Sequence, residues 1–310
     1  MSYLDNILIC VDCGGDVAVS SQIRCIECGR VYIKKDGIIE SLPTKMNELS
    51  ALEAKYHDNF EEDALQVHQL NSLRVRSLHE YVWNKLRKFK KRSRFLEIGA
   101  GSCFDAKQLE NDYELTLTDI SANSLRKAKK ELIKTRNYLA ADGLNLPFRE
   151  NGFDAVYMIA VLHHFVDPTP VIKQIERVLK SGGTFIAGIE PNYLFFSAIN
   201  KNRDQLCKAT HMQDKDVSQA DAEMMGFKSR DFYRLFDSKY WHKPIIKANW
   251  FLSGFVHYGL EFLFRSMRLK KRIKLPLFLE KVFYFIDSML LSLSPFKKAC
   301  WHWTVVVEKK

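Results

Sequence analysis

Residues 94–110, RFLEIGAGSCFDAKQLE, carry the pattern of a buried strand, a glycine turn and the first residues of a helix. Strand patterns recur around this stretch at Arg94 to Ile98, Glu114 to Thr118, Asn137 to Ala141, Phe153 to Val161 and Gly183 to Ile189. Helical periodicity fills Phe104 to Asn111, Ser121 to Lys134 and Pro170 to Lys180 between them. Strand and helix in alternation predict a parallel α/β sheet covered on both faces, with ligands at the carboxyl ends of the strands. A dinucleotide fingerprint, G-x-G-x-x-G, needs glycine or alanine at its third place so that helix and strand can pack closely. Gly99 and Gly101 satisfy the first two places, but Phe104 stands at the third, which argues against a nicotinamide cofactor.

Three further positions extend the pattern. Asp119 closes the second strand in LTLTDIS, where a carboxylate can accept from both hydroxyls of a ribose. Asp142 closes the third in LAADGLNLPF, FDAVYMIAVLHHF supplies a fourth strand, and VLKSGGTFIAGIEPN fits a helix, a glycine turn and a fifth strand. Taken singly, Asp119 also suits a cap for a helix starting at Ser121, and Asp142-Gly143 also suits a plain turn.

Glu97, Gly99 and Gly101 match the E-x-G-x-G turn of class I S-adenosylmethionine-dependent methyltransferases, with Cys103 where a third glycine often follows. From about residue 93 to 192 the chain resembles that family, within the broad type 11 group that includes quinone-biosynthesis and many small-molecule methyltransferases. The resemblance implies a seven-stranded Rossmann-like sheet with an antiparallel final pair. It implies S-adenosylmethionine held by Glu97, Gly99, Gly101, Asp119, Ile120, Asp142, Gly143 and Met158, with Asp142 accepting from the adenine amino group. It also places His163 and His164 just past the fourth strand, near the methyl-transfer centre. A histidine there, with an unperturbed pKa of about 6.5, suits removal of a proton from a hydroxyl or acidic carbon, although it serves equally to shape the pocket.

Seven cysteines fall into two groups. Cys10, Cys13, Cys25 and Cys28 form two C-x-x-C pairs, the spacing of a closed tetrahedral sulfur site whose natural occupant is zinc. Gly14, Gly15 and Gly29 follow the pairs, where the chain must bend back. RVYIKKDGIIESLP then reads as a strand, an Asp36-Gly37 turn and a second strand. So short a segment lacks a self-supporting apolar core, so metal would supply its folding energy. The segment resembles the zinc ribbons of certain rRNA guanine methyltransferases and the zinc-ribbon activator subunit of tRNA and rRNA methyltransferases. Its fourth ligand is Cys28, where the rRNA enzymes commonly carry histidine.

The domain organisation expected is a zinc ribbon over 1–43, a helical linker over 44–92 and a methyltransferase domain over 93–310. Within the last, a helical insertion over about 251–298 precedes a closing strand, WHWTVVVEKK. Tyr56 and His57 on the linker are candidates to cap a ligand pocket. The 310 residues carry 47 basic and 37 acidic side chains, a net charge of +10. Basic clusters lie at Lys85 to Arg94 and Arg265 to Lys274; each suits phosphate on RNA or lipid, or a solvated helix end. The start of the chain lacks a signal-peptide pattern and no apolar run is long enough to span a membrane, so the expected location is the cytoplasm, with peripheral membrane contact through the insertion an alternative. For function, the sequence favours an S-adenosylmethionine-dependent methyltransferase acting on a small-molecule or lipid-like acceptor. An rRNA or tRNA base methyltransferase using the ribbon to bind RNA, and a non-catalytic methyltransferase-like scaffold, are the alternatives.

Overall fold

The computed structural model describes residues 3–59, 72–130, 132, 134–135, 137–213, 217–269 and 275–310. The N-terminal segment forms four short strands, β1 (Val17–Val19), β2 (Ile23–Cys25), β3 (Val31–Lys35) and β4 (Ile38–Glu40), paired antiparallel in chain order. Then come β5 (Arg94–Ile98), β6 (Glu114–Asp119), β7 (Asn137–Ala140), β8 (Phe153–Ile159) and β9 (Leu179–Pro191), followed by β10 (Ile245–Asn249) and β11 (His302–Glu308). All join one sheet in the order β1-β2-β3-β4-β7-β6-β5-β8-β9-β11-β10. β7, β6, β5, β8 and β9 are mutually parallel, and β11 runs antiparallel to both β9 and β10. Such strands are apolar on both faces because both are covered: every residue of β7 is buried, as are four of the five in β5.

The sheet therefore has eleven strands where seven were expected, because the N-terminal segment does not stand apart. β4 pairs parallel with β7, matching Ile38 to Tyr138, and Ile38 is fully buried in the same apolar cluster as Leu117 and Tyr138. Leu4, Ile7 and Leu8 pack in a second cluster with Phe148 and Phe153. The segment thus draws on the principal core for apolar burial as well as on its cysteines.

The helices are α1 (Glu48–Asn59), α2 (Leu73–Leu86), α3 (Ala106–Leu109), α4 (Ala122–Lys129), α5 (Thr169–Val178), α6 (Tyr193–Lys201), α7 (Arg203–Thr210), α8 (Gln219–Glu223), α9 (Ser229–Leu235), α10 (Leu252–Ser266), α11 (Leu277–Leu290) and α12 (Ser294–Lys298). α5 shows the sequence logic plainly: Val171, Ile172, Ile175 and Val178 make one buried stripe at helical spacing. Two elements fall short of their sequence patterns. α3 spans four residues without a side-chain cap, and Oδ1 of the preceding Asp105 accepts from Trp83 Nε1 at 2.7 Å and contacts His79 Nδ1 at 2.8 Å. β8 ends at Ile159 because Ala160 takes φ +57, turning the chain into a 3-10 turn over Leu162–His164.

The insertion is an α10–α11 helical hairpin followed by α12. Asp287 of α11, 4% exposed, caps α10 by accepting from the amides of Leu252 at 2.6 Å, Phe251 at 3.2 Å and Ser253 at 3.3 Å. Glu280 accepts from the Leu73 amide at 2.8 Å and so ties the hairpin to α2. No helix of the described residues is long and apolar enough to cross a membrane.

Candidate functional site

The parallel strands end together, and their carboxyl ends open into a cavity of about 850 Å³. Its walls include Glu97, Gly99 and Gly101 at the end of β5 and the turn beyond it, Asp119 and Ile120 at the end of β6, and Asp142 and Gly143 after β7. Gly99 has φ +68, and a Cβ there would lie 2.4 Å from Val161 Cγ2, so the turn needs glycine twice over. Cys103 takes φ +54, so the left-handed bend is kept without a glycine, at the usual cost of about 1 kcal/mol for a side chain in that region.

The two aspartates differ in how their oxygens are used. Asp119 Oδ2 accepts from the Gly101 amide at 2.8 Å and Oδ1 from the Ser121 amide at 2.8 Å, which locks the glycine turn to the end of β6. The cap of α4 belongs to Ser121, whose Oγ accepts from the Ser124 amide at 3.0 Å. Burial raises the Asp119 carboxyl above its ordinary value. Asp142 Oδ1 accepts from the Leu144 amide at 2.9 Å, while its Oδ2 is buried without a hydrogen-bond partner. A buried acceptor left empty on a cavity wall fits a ligand N–H group. Glu97 accepts from the Tyr157 hydroxyl at 3.0 Å, and burial, followed by the charge of Asp105, raises its carboxyl well above the usual range.

Met158 departs from its expected place. β8 continues past it to Ile159, so the pleat turns Met158 fully into the core, and it does not line the cavity. The two histidines also part company. His164 lines the cavity; its Nδ1 lies 3.1 Å from Glu53 Oε2 and its Nε2 3.7 Å from Asp221 Oδ1. His163 does not line it. Its Nδ1 lies 2.9 Å from the fully buried Glu190, whose oxygens also accept from the amides of Leu162 and His163, and its Nε2 lies 3.6 Å from Asp221. Burial alone would lower the pKa of His163, but Glu190 and Asp221 outweigh it and raise it to about 9. With its pKa raised this far, His163 is protonated at neutral pH and does not accept a proton there.

Tyr56 and His57 both line the cavity, beside His164. Glu53, one helical turn before His57, bridges them: its Oε2 is 3.5 Å from His57 Nε2, and its Oε1 accepts from the Ala220 amide at 2.9 Å. These hydrogen bonds hold Glu53 far below the ordinary carboxylate range despite its burial. Glu53 and His57 share an i, i+4 spacing that sequence inspection could have flagged. Glu190 and Asp221 carry no such local signal.

The four ribbon cysteines converge far along the chain from this cavity. Their sulfurs lie within 4.8 Å of one another, with Cys10 to Cys28 at 3.6 Å and Cys13 to Cys25 at 3.5 Å. A tetrahedral site with metal–sulfur bonds of about 2.3 Å needs sulfur–sulfur edges of about 3.8 Å, so the donor set and spacing fit zinc. The Tyr32 hydroxyl donates to Cys10 Sγ at 3.0 Å, supporting that ligand from outside. The Lys85–Arg94 cluster is largely committed: Lys91 pairs with Asp112, Arg94 approaches Glu114, Lys85 lies over Tyr81 and Arg87 over Trp83. Residues 270–274 of the second cluster lie outside the described residues.

Residues 96–187 match the family described as "Methyltransferase domain". The chain is 36% identical over 96 residues to a mitochondrial arginine-hydroxylase, NDUFAF5, of Danio rerio, covering 30% of this chain and 30% of that protein. It is 32% identical over 102 residues to 27-O-demethylrifamycin SV methyltransferase of Amycolatopsis mediterranei, covering 31% of this chain and 38% of that enzyme. The first curated relatives are matched over only 59% and 30% of their own lengths. Phosphoethanolamine N-methyltransferase 2 of Haemonchus contortus, solved with phosphomonomethylethanolamine and S-adenosylhomocysteine, shares the fold at a TM-score of 0.50 and 17% identity, covering 76% of this chain and 52% of that one.

The His163 pair makes stability depend on pH. With a folded pKa of about 9 against about 6.5 unfolded, its contribution is complete below pH 6.5 and is lost as pH rises toward 9. Urea titrations are expected to show stability falling across that window, by on the order of 3 kcal/mol at most, and His163→Gln is expected to flatten the fall. A wild-type curve level from pH 6.5 to 9 would contradict this assignment.

Proposed function

We propose that this protein transfers the methyl group of S-adenosylmethionine to a small, lipid-like acceptor. The observation that carries this reading is the partnerless, buried Asp142 Oδ2 on the cavity wall, beside Gly143 and across from the Asp119-braced glycine turn. In this reading Asp142 accepts from the adenine amino group, Asp119 from the ribose, and Gly99 to Gly101 carry backbone close to the ligand, with Glu97 and Ile120 completing the wall. S-adenosylmethionine supplies a methyl group on a positively charged sulfur, so the protein's task is chiefly alignment and exclusion of water. His164, oriented by Glu53, takes the acceptor's proton where one must leave.

The lipid-like acceptor is supported by the insertion. More than half of the large apolar side chains exposed among the described residues lie between Phe255 and Leu293. On α11, Phe278 (65% exposed), Val282, Phe285 (63%) and Met289 (58%) fall at i, i+4, i+7 and i+11, a single helical face. Arg265 stands at the end of α10, and five more basic residues, Arg268, Lys270, Lys271, Arg272 and Lys274, follow in the sequence before α11. Apolar side chains beside clustered cations complement an anionic membrane interface, so the hairpin would rest there while its His257 and Tyr258 line the cavity.

The cysteine cluster, in this reading, holds one zinc ion as a closed structural site. The RNA-base alternative has weaker support, since the ribbon joins the sheet beyond β7 while the wall over β11 is six strand spacings from β4, about 29 Å.

Calorimetry is expected to show one S-adenosylhomocysteine site per chain, with affinity at least tenfold lower in Asp142→Ala, and incubation of cell extract with labelled S-adenosylmethionine should label an organic-extractable product. A chain that binds no cofactor, or that binds it and labels nothing, refutes the reaction. Metal analysis should find one zinc per chain; folded protein free of zinc would remove that assignment. In flotation assays the protein should rise with vesicles containing anionic phospholipid, less so at high salt, and Phe278→Ser with Phe285→Ser should stay at the bottom. Equal flotation of both proteins, or burial of the face in a stable dimer, would contradict the membrane assignment.

A further inference from the structure

Over the ends of β9, β10 and β11 the cavity wall changes character. α2 contributes Arg74 and His79, α10 contributes His257 and Tyr258, and the strand ends contribute Trp250 and His302. The strand ends that carry Trp250 and His302 lie on the side of β8 away from Asp119 and Asp142, while His79 reaches toward Asp105 after β5.

Arg74 is a cation with no carboxylate in ion-pair contact among the described residues. Its guanidinium carbon lies 4.2 Å from the centroid of the Trp250 ring, and Trp250 Nε1 donates to the Arg74 carbonyl at 3.1 Å. Glu280 and Asp287 are the carboxylates whose charges reach it, and both act from a distance, one held on the Leu73 amide and the other capping α10. Among the described residues no carboxylate comes within the 4.0 Å of an ion pair with Arg74. Burial lowers its pKa only to about 10, so it stays charged at neutral pH. Around it the histidines are neutral. Burial, reinforced by Arg74 itself, lowers His257 to about 3 and pushes His302 well below its ordinary value.

Two other groups on this wall are incomplete. His79 Nε2 and His302 Nδ1 are buried and have no hydrogen-bond partner, in residues 2% and 4% exposed. A half-buried cation resting on an indole face, beside buried ring nitrogens left unfilled, has bonding capacity to spare. An arrangement of this kind is complete only with a ligand that brings negative charge and hydrogen-bonding atoms.

We propose that this chamber binds an anionic group of the acceptor, a carboxylate or a phosphate, on Arg74, with Trp250 and Tyr258 flanking it and His79 and His302 meeting the ligand's polar atoms. The identification of the ligand as the acceptor rests on the methyl-transfer reading; the anion site itself does not.

The test uses the full chain and two probes, phenyl phosphate and benzoate, titrated calorimetrically into wild type, Arg74→Lys and Arg74→Met at pH 7, with and without S-adenosylhomocysteine. At least one probe is expected to bind wild type at one site, at least tenfold more weakly to Arg74→Met, and with intermediate strength to Arg74→Lys. S-adenosylhomocysteine affinity is expected to be equal in all three. The probe preferred tells carboxylate from phosphate. Failure of both probes to bind wild type, or equal binding by all three proteins, overturns the proposal. Loss of S-adenosylhomocysteine affinity in Arg74→Met also overturns it, because the guanidinium would then serve the donor's own carboxylate. Failure of the methyl-transfer reading looks different: wild type binds no S-adenosylhomocysteine while probe binding persists. A thermal melt adds a second readout. Removing a charge that no carboxylate touches should raise the midpoint of the ligand-free protein in Arg74→Met, whereas an arginine kept for structure would lower it.

Discussion

The cavity is held closed on one side by a buried lattice of carboxylates and histidines. Glu190, at the end of β9 and fully buried, holds His163 and two amides of the 3-10 turn that follows β8. Asp221 of α8 lies within 4.0 Å of both His163 and His164. Glu53 of α1 joins His164, His57 and the amide of Ala220. Four segments far apart in sequence are thus fixed to one another by hydrogen bonds and ion pairs. Buried charges of this kind are tolerable only when every one is paired, so displacing a single member leaves the others exposed to the full desolvation cost. The lattice accordingly keeps α1 over the strand ends and gives His164 its orientation.

The N-terminal ribbon solves a different problem. An uncovered β7 would be an edge strand with free amides and carbonyls, open to pairing with other chains. β4 occupies that edge in parallel register, and Ser41 continues the contact by donating from its amide and its hydroxyl to the Ala140 carbonyl at 2.8 and 2.9 Å. The ribbon is therefore part of the sheet's mechanical continuity, while its four cysteines face a separate site.

The insertion between β10 and β11 has two faces with opposite chemistry. One presents phenylalanine, valine and methionine outward; the other brings His257 and Tyr258 to the cavity, beside Arg74 and Trp250. The membrane and anion proposals are independent in their observations, yet both describe an amphiphilic acceptor, apolar along its length and negatively charged at one end. The same element would then serve uptake and recognition.

Much of this protein was legible in its sequence because the signals are local. Alternating strand and helix patterns, the turn at Gly99 and Gly101, the aspartates at the ends of β6 and β7, and the C-x-x-C pairs each depend on residues close together in the chain, and each appears where the pattern placed it. What only the tertiary structure decided depends on long-range packing. Whether Met158 faced ligand or core turned on one residue of strand length, set by the backbone of Ala160. Which of two adjacent histidines lines the cavity and which is held by Glu190 depended on the turn after β8, and the placing of Arg74 on Trp250, with no carboxylate in contact, depended on how α2 meets the strand ends. A side chain's charge state and spare bonding capacity are fixed by neighbours that the fold brings from distant parts of the chain, and spacing within one segment carries no record of them.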